Sequence, residues 1–180
     1  MKEFIREYPL FSLCGLNCGL CPMHIGGHCP GCGGGDGNQS CSIARCSKER
    51  GVEFCIHCGD YPCAKYEGID DTDSFISHLR QNQDLEKLGR IGPDAYCLEL
   101  DEKIAILAVL LERYNDGRHK SPFCTAVSLL DPERLRPIME TLEAKATPDM
   151  TPKEKAALAS RLMETAATEQ GVSLKLRKKK

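Results

Sequence analysis

Apolar residues recur at helical spacing over most of the chain beyond residue 67. Asp70, Asp71, Thr72 and Asp73 offer a cluster of N-caps for a helix through Phe75, Ile76 and Leu79 to Leu88. Ile91, Gly92 and Pro93 supply its stop. Ile104, Leu107, Leu110, Leu111 and Tyr114 then fall on one helical face, and Asn115, Asp116 and Gly117 break the run. Ser121 and Pro122 open a short apolar helix through Ala126, Val127, Leu129 and Leu130. Asp131 with Pro132 reads as an N-cap followed by a proline in the first turn. The face of that helix is Leu135, Ile138, Met139 and Leu142, with Pro137 as a point of kinking. Thr151, Pro152 and Glu154 form a capping box ahead of Leu158, Leu162 and Met163. Four or five amphipathic helices are enough to pack a bundle. No alternation of strand and helix and no internal repeat is present.

The first third of the chain has no such periodicity. It has few large aliphatic side chains, and eleven of the sixteen glycines fall before residue 65. A segment of this kind needs disulfides, metals or a partner to hold a fold. The expected division is therefore a small metal-stabilised, irregular cysteine-rich module over 1–67 and an all-α helical region over 68–180.

Composition sharpens the picture in one respect. Hydrophobic residues make up 41% and charged residues 28% of 180, with a net charge of −2, as in a soluble globular protein. No apolar run is long enough to cross a membrane. The near-neutral balance argues against a nucleic-acid binder. The start of the chain carries acidic residues and lacks the apolar stretch of a secretory signal, so a cytoplasmic location is expected. The departure is twelve cysteines, of which only Cys97 and Cys124 stand apart.

The other ten are Cys14, Cys18, Cys21, Cys29, Cys32, Cys41, Cys46, Cys55, Cys58 and Cys63. Disulfides would require an oxidising compartment, to which nothing at the start directs the chain. Spacing favours metal. Cys18 with Cys21, Cys29 with Cys32 and Cys55 with Cys58 are C-x-x-C pairs, each placing two thiolates on one side of a short turn. Cys41 with Cys46 and Cys58 with Cys63 are wider pairs. Tetrahedral zinc suits such units; an iron–sulfur cluster is the alternative, although the bacterial ferredoxin run is absent. Ten thiolates exceed two tetrathiolate sites, so either two stay out or a third ion recruits His24, His28 or His57. The reading is thus two zinc ions, with a third as a variant.

Cys14, Cys18 and Cys21 also have the spacing of the cluster motif in radical S-adenosylmethionine enzymes. Seven further cysteines follow it here in place of strands and helices, which favours two knuckle ligands and a neighbour. The glycine-rich stretch from Gly31 to Gly37 lacks the Lys-Ser/Thr ending of a phosphate loop and reads as a turn between ligands. Cys124, near Arg118, His119 and Lys120, is a candidate low-pKa thiol whose simpler reading is a buried packing residue, as for Cys97. Lys175, Arg177, Lys178, Lys179 and Lys180 form a basic tail read as a solvated terminus. Tetrathiolate zinc is anionic, and between Cys14 and Cys63 the basic residues Arg45, Lys48 and Arg50 face Asp36, Glu49, Glu53 and Asp60. A metallated segment would repel a phosphate backbone.

The ordered blocks resemble a known family. Cys14-Gly-Leu-Asn-Cys18-Gly-Leu-Cys21-Pro22, Cys29-Pro-Gly-Cys32 and Cys41-Ser-Ile-Ala-Arg-Cys46 are followed by Gly51-Val-Glu-Phe-Cys55-Ile-His-Cys58-Gly-Asp-Tyr61-Pro62-Cys63. Over residues 12–66 this is similar to the cysteine-rich bacterial and archaeal family catalogued as domain of unknown function 3795. The gap from Cys21 to Cys29 is shorter than in the family, and His24 stands where a tyrosine is expected. Residues 115–124 also resemble longer members. The resemblance implies zinc and no particular reaction. The functional expectation is a metal-binding protein of closed cysteine sites, serving as a folding scaffold or as an interaction module for a protein partner. The alternative is an iron–sulfur or thiol-based redox enzyme of anaerobic metabolism.

Overall fold

The computed structural model describes residues 4–35 and 41–178. Among these residues there are seven α-helices, and the only β pairing is an isolated antiparallel bridge between Ile5 and Gly34. Helices α1 (Pro22–Ile25) and α2 (Ser42–Arg50) belong to the cysteine-rich part. The rest are α3 (Gln81–Ile91), α4 (Pro93–Arg113), α5 (Lys120–Leu129), α6 (Pro132–Lys145) and α7 (Pro152–Gln170). The chain is mostly helical, as the apolar pattern leads one to expect.

The helical part follows from its sequence signals. Pro93 opens α4, whose buried positions Tyr96, Leu100, Lys103, Leu107 and Leu110 recur at intervals of three and four. Helix α5 is buried at every position from Phe123 to Leu129, so it is the central helix of the bundle. The capping box of α7 is complete. Thr151 Oγ1 accepts from the Glu154 N–H, and Glu154 Oε2 accepts from the Thr151 N–H at 2.8 Å. Gly171 ends this helix in the left-handed conformation.

Four segments depart from expectation. Residues 75–79 are not helical, and Phe75 is exposed. The Asp73 carboxylate, instead of capping a helix there, accepts from the His78 N–H at 2.7 Å and from the Arg177 guanidinium at 2.8 Å. Burial would raise this carboxyl, but the Arg177 side chain and the backbone N–H groups of Arg177 and His78 outweigh it and hold it at about 2. The tail is correspondingly strapped to residue 73 rather than solvated up to Arg177, while Lys179 and Lys180 lie outside the described residues. Helix α4 also starts earlier than its Ile104 series, because Tyr96 and Leu100 extend the same stripe back to Pro93. Finally, the cysteine-rich part is less irregular than expected. Cys41 caps α2, its sulfur accepting from the Ala44 N–H at 3.4 Å, and Gly51 closes the helix at φ 65°.

One apolar cluster spans both parts of the chain. Leu107, Leu110, Phe123, Val127, Leu135, Leu142 and Met163 from the bundle join Phe11, Leu20, Phe54 and Tyr66 from the cysteine-rich part. Phe11 lies between Phe54 and Tyr96, with ring centroids 5.9 and 4.5 Å away. The loop from Cys14 to Cys18 is seated on α3 and α4 by polar contacts. Asn17 Nδ2 donates to Asp84 Oδ2 at 2.8 Å, Tyr96 Oη donates to Asn17 Oδ1 at 3.1 Å, and Gln81 Nε2 donates to the Cys14 carbonyl at 3.0 Å. Gly15 is required there: its φ is 102°, and a Cβ would stand 2.1 Å from the Gln81 carbonyl oxygen. Behind Asp84, buried Lys103 donates to the Ser128 carbonyl at 3.0 Å. Burial lowers the Lys103 pKa to about 8 against the opposing pull of Asp84.

Candidate metal centre

All twelve cysteines are among the described residues and stand as thiols rather than disulfides. The ten clustered ones fall into two neighbourhoods that meet at Cys55. In the first group, Cys14, Cys18, Cys32 and Cys41 pack around a small apolar nucleus of Phe4, Leu13 and Ala44, which Cys55 also touches. Cys21 and Cys29 flank Cys18 in the same neighbourhood. Burial pushes the Cys14 thiol up to about 12; the Ser12 hydroxyl, 3.2 Å from its sulfur, opposes this, while Cys32, Cys41 and Cys55 reinforce it. Cys18 is driven well above the usual thiol range by burial and then by Cys32, Cys14, Cys21 and Cys29.

Arg6 is the charged residue of this group. It is buried and donates to the carbonyls of Phe11 at 2.9 Å, Cys32 at 3.1 Å and Glu53 at 3.0 Å, and pairs with the Glu53 carboxylate at 2.9 Å. Its guanidinium also opposes the burial that raises the Cys32 thiol. The glycine-rich turn serves this arrangement rather than a phosphate. Arg6 N donates to the Gly33 carbonyl at 2.9 Å, and a Cβ on Gly33 would stand 2.4 Å from Arg6 Cγ. Asp36 and Gly37, the end of that stretch, lie outside the described residues.

The second group is Cys46, from α2, with Cys55, Cys58 and Cys63. They line a cavity of about 20 Å³, walled further by Ile43, Val52 and Tyr66. That is room for one water-sized body. Burial raises the Cys55 thiol; the Tyr66 hydroxyl opposes this, and Cys63, Cys46 and Cys58 add to it. Arg50 Nη1 donates to Cys58 Sγ at 3.4 Å while pairing with Asp60 at 2.5 Å. Cys55 stands between the groups, since Cys14 also feels it.

The donor chemistry of both groups, thiols without oxygen ligands, suits a soft ion such as zinc. Their spacing is not that of a finished site: among the described residues no three His, Cys, Asp or Glu side chains are drawn together into a set that could hold an ion as they stand. His24 Nδ1 lies 2.9 Å from the Cys29 carbonyl oxygen, His28 is exposed, and His57 packs edge-on against Phe54. Cys124 is buried, and burial followed by the influence of Cys21 pushes its thiol up to about 12, contrary to what a nucleophile needs. Cys97 is raised by burial as well. A cleft of about 430 Å³ lies between α5, α7 and the segment after Gly171, with Phe123, Met163, Val172 and Leu174 in its wall and no cysteine among its lining residues.

Residues 10–68 match the family model described as protein of unknown function (DUF3795). The match is confined to the cysteine-rich segment. No curated protein and no solved structure matches the chain. The DUF3795 segment thus holds both thiol groups and Tyr66, whereas Arg6 precedes it and the bundle follows it. Sequence reasoning missed Arg6, Ser12, Asn17 and Tyr66. None has a ligand's spacing, and the available signals were weak ones: an arginine beside Glu7 near the start, and polar residues interleaved with the cysteines. No helix among the described residues is long and apolar enough to cross a membrane.

Proposed function

We propose that this protein binds two zinc ions through its DUF3795 segment, one at each thiol group, in closed sites that serve as a folding scaffold and an interaction module. The observation that carries the reading is the set of four thiols, Cys46, Cys55, Cys58 and Cys63, around a cavity sized for one small body, with the other six clustered thiols lying in the part of the segment that adjoins it through Cys55. Four thiolates per ion leave no coordination position for a substrate. The ion would neutralise sulfurs that the apolar surroundings keep protonated, and would draw them together as it binds. Two of the six thiols in the first group then remain outside the sites. A reducing compartment, the cytoplasm, would keep them as thiols. The partner would be another protein, since an anionic thiolate centre repels nucleic acid.

Treatment with a strong chelator followed by limited proteolysis tests this reading. Cleavage should appear within 14–63 while the far-ultraviolet helical signal largely survives. Protection of that segment that is indifferent to the chelator would overturn it. A brown anaerobic preparation with thiolate charge-transfer absorption would instead establish an iron–sulfur cluster.

A further inference from the structure

Tyr66 closes one side of the four-thiol cavity. The residue is more than nine-tenths buried, and its hydroxyl has no hydrogen-bond partner of acceptable geometry among the described residues. Leaving a phenol hydroxyl buried and unpaired is costly, and a buried tyrosine ordinarily finds an acceptor. The ring is fixed: it meets Tyr61 edge-on at 4.9 Å between centroids and belongs to the shared apolar core. Cys55 lines the same small cavity as Tyr66, which makes its sulfur an acceptor open to the hydroxyl. A neutral thiol is a weak acceptor, whereas a metal-bound thiolate is a good one.

We propose that Cys46, Cys55, Cys58 and Cys63 form a discrete single-ion site for a soft divalent cation, in which Tyr66 is the built-in hydrogen-bond donor to the Cys55 thiolate. This rests on the metal-binding reading above and names the ligands of one of its two ions. Arg50, already on Cys58, is the second outer donor, so two of the four sulfurs have a partner beyond the ion. Outer hydrogen bonds of this kind orient the ligand and disperse its charge, and removing one typically weakens metal affinity by about 10- to 100-fold. Tyr66 is therefore a positioning residue, acting on the ion through Cys55.

The test titrates the full-length, reduced chain anaerobically with Co(II) alone, and with zinc against a competing chelator, in wild type, Tyr66→Phe and Cys63→Ser. Tyr66→Phe removes only the unpartnered oxygen, so circular dichroism should not change. Its affinity for one of the two ions should fall by about tenfold or more, and the sulfur-to-cobalt charge-transfer band of that site should move to lower energy. Cys63→Ser should lose or weaken the same ion and leave the other unchanged. A Tyr66→Phe protein with wild-type affinity and spectrum would overturn the role of Tyr66. A Cys63→Ser protein that keeps both ions at full affinity would overturn the ligand set. A wild-type chain that takes up no metal overturns the metal-binding reading itself, a result distinct from the other two.

Discussion

The bundle and the cysteine-rich segment solve the same problem with different means. From α3 to α7 each helix buries a stripe of its own, and α5 is covered on all sides. Among the described residues, the segment before residue 67 has a buried nucleus of Phe4, Leu13, Cys32 and Ala44 to itself, and lends Phe11, Leu20, Phe54 and Tyr66 to the bundle's core. Apolar burial contributes about 25 cal/mol per Å², so a part with little apolar surface needs another source of stability. In our account that source is metal. The contrast teaches that the two parts should respond to different insults, although they share a wall.

The largest expected effect is in the bundle. Leu110 is fully buried, and Leu110→Ala should cost about 2–5 kcal/mol in urea unfolding. The loss should be equal with and without bound metal; a loss confined to the metal-loaded form would break the distinction. Next comes the junction. Asn17→Ala removes the bonds to Asp84 and Tyr96 and leaves a buried carboxylate short of a partner, costing about 2–3 kcal/mol. A double-mutant cycle with Asp84→Asn should show strong coupling, and additivity would mean that the seat of the Cys14–Cys18 loop is not held this way.

The Asp73–Arg177 strap is a smaller effect, read through pH. The carboxyl is held at about 2, below its unfolded value near ~4. Its contribution is therefore complete above about pH 4 and lost as pH falls toward about 2. Wild type should lose stability over that interval relative to Asp73→Asn, whose own disadvantage should vanish at the acid end. Parallel curves would contradict the strap. The smallest effect is at α7, where Thr151→Ala should cost about 1 kcal/mol through loss of the capping box, without altering metal content.

The bundle was legible because its signals are local. Gly92 with Pro93 and Thr151 with Glu154 mark helix ends by backbone chemistry that needs no tertiary partner, and Asp131 stands where expected before α6, although its carboxylate pairs with Arg80 instead of capping the helix. The failure over 75–79 is instructive: Asp73 looks like a cap, but its carboxylate is claimed by an arginine far along the chain, which no local pattern reveals. In the cysteine-rich segment the donors were legible as residue types, and their pairing was not. Chain-adjacent C-x-x-C pairs suggested fours, whereas folding brings Cys46 across from α2 to join Cys55, Cys58 and Cys63, and leaves Cys55 in touch with the other neighbourhood as well. The residues that surround the sulfurs, Arg6, Asn17 and Tyr66, act through contacts that spacing does not encode.

The central claim is that these thiols hold metal in two separate groups. Its most direct test is metal stoichiometry of anaerobically purified, full-length protein combined with a count of reactive thiols before and after denaturation with a chelator. The account predicts two zinc ions per chain and no more than four reactive thiols in the loaded protein, the buried Cys124 reacting slowly, rising to all twelve once metal is removed and the chain denatured. Twelve reactive thiols with no bound metal would contradict it.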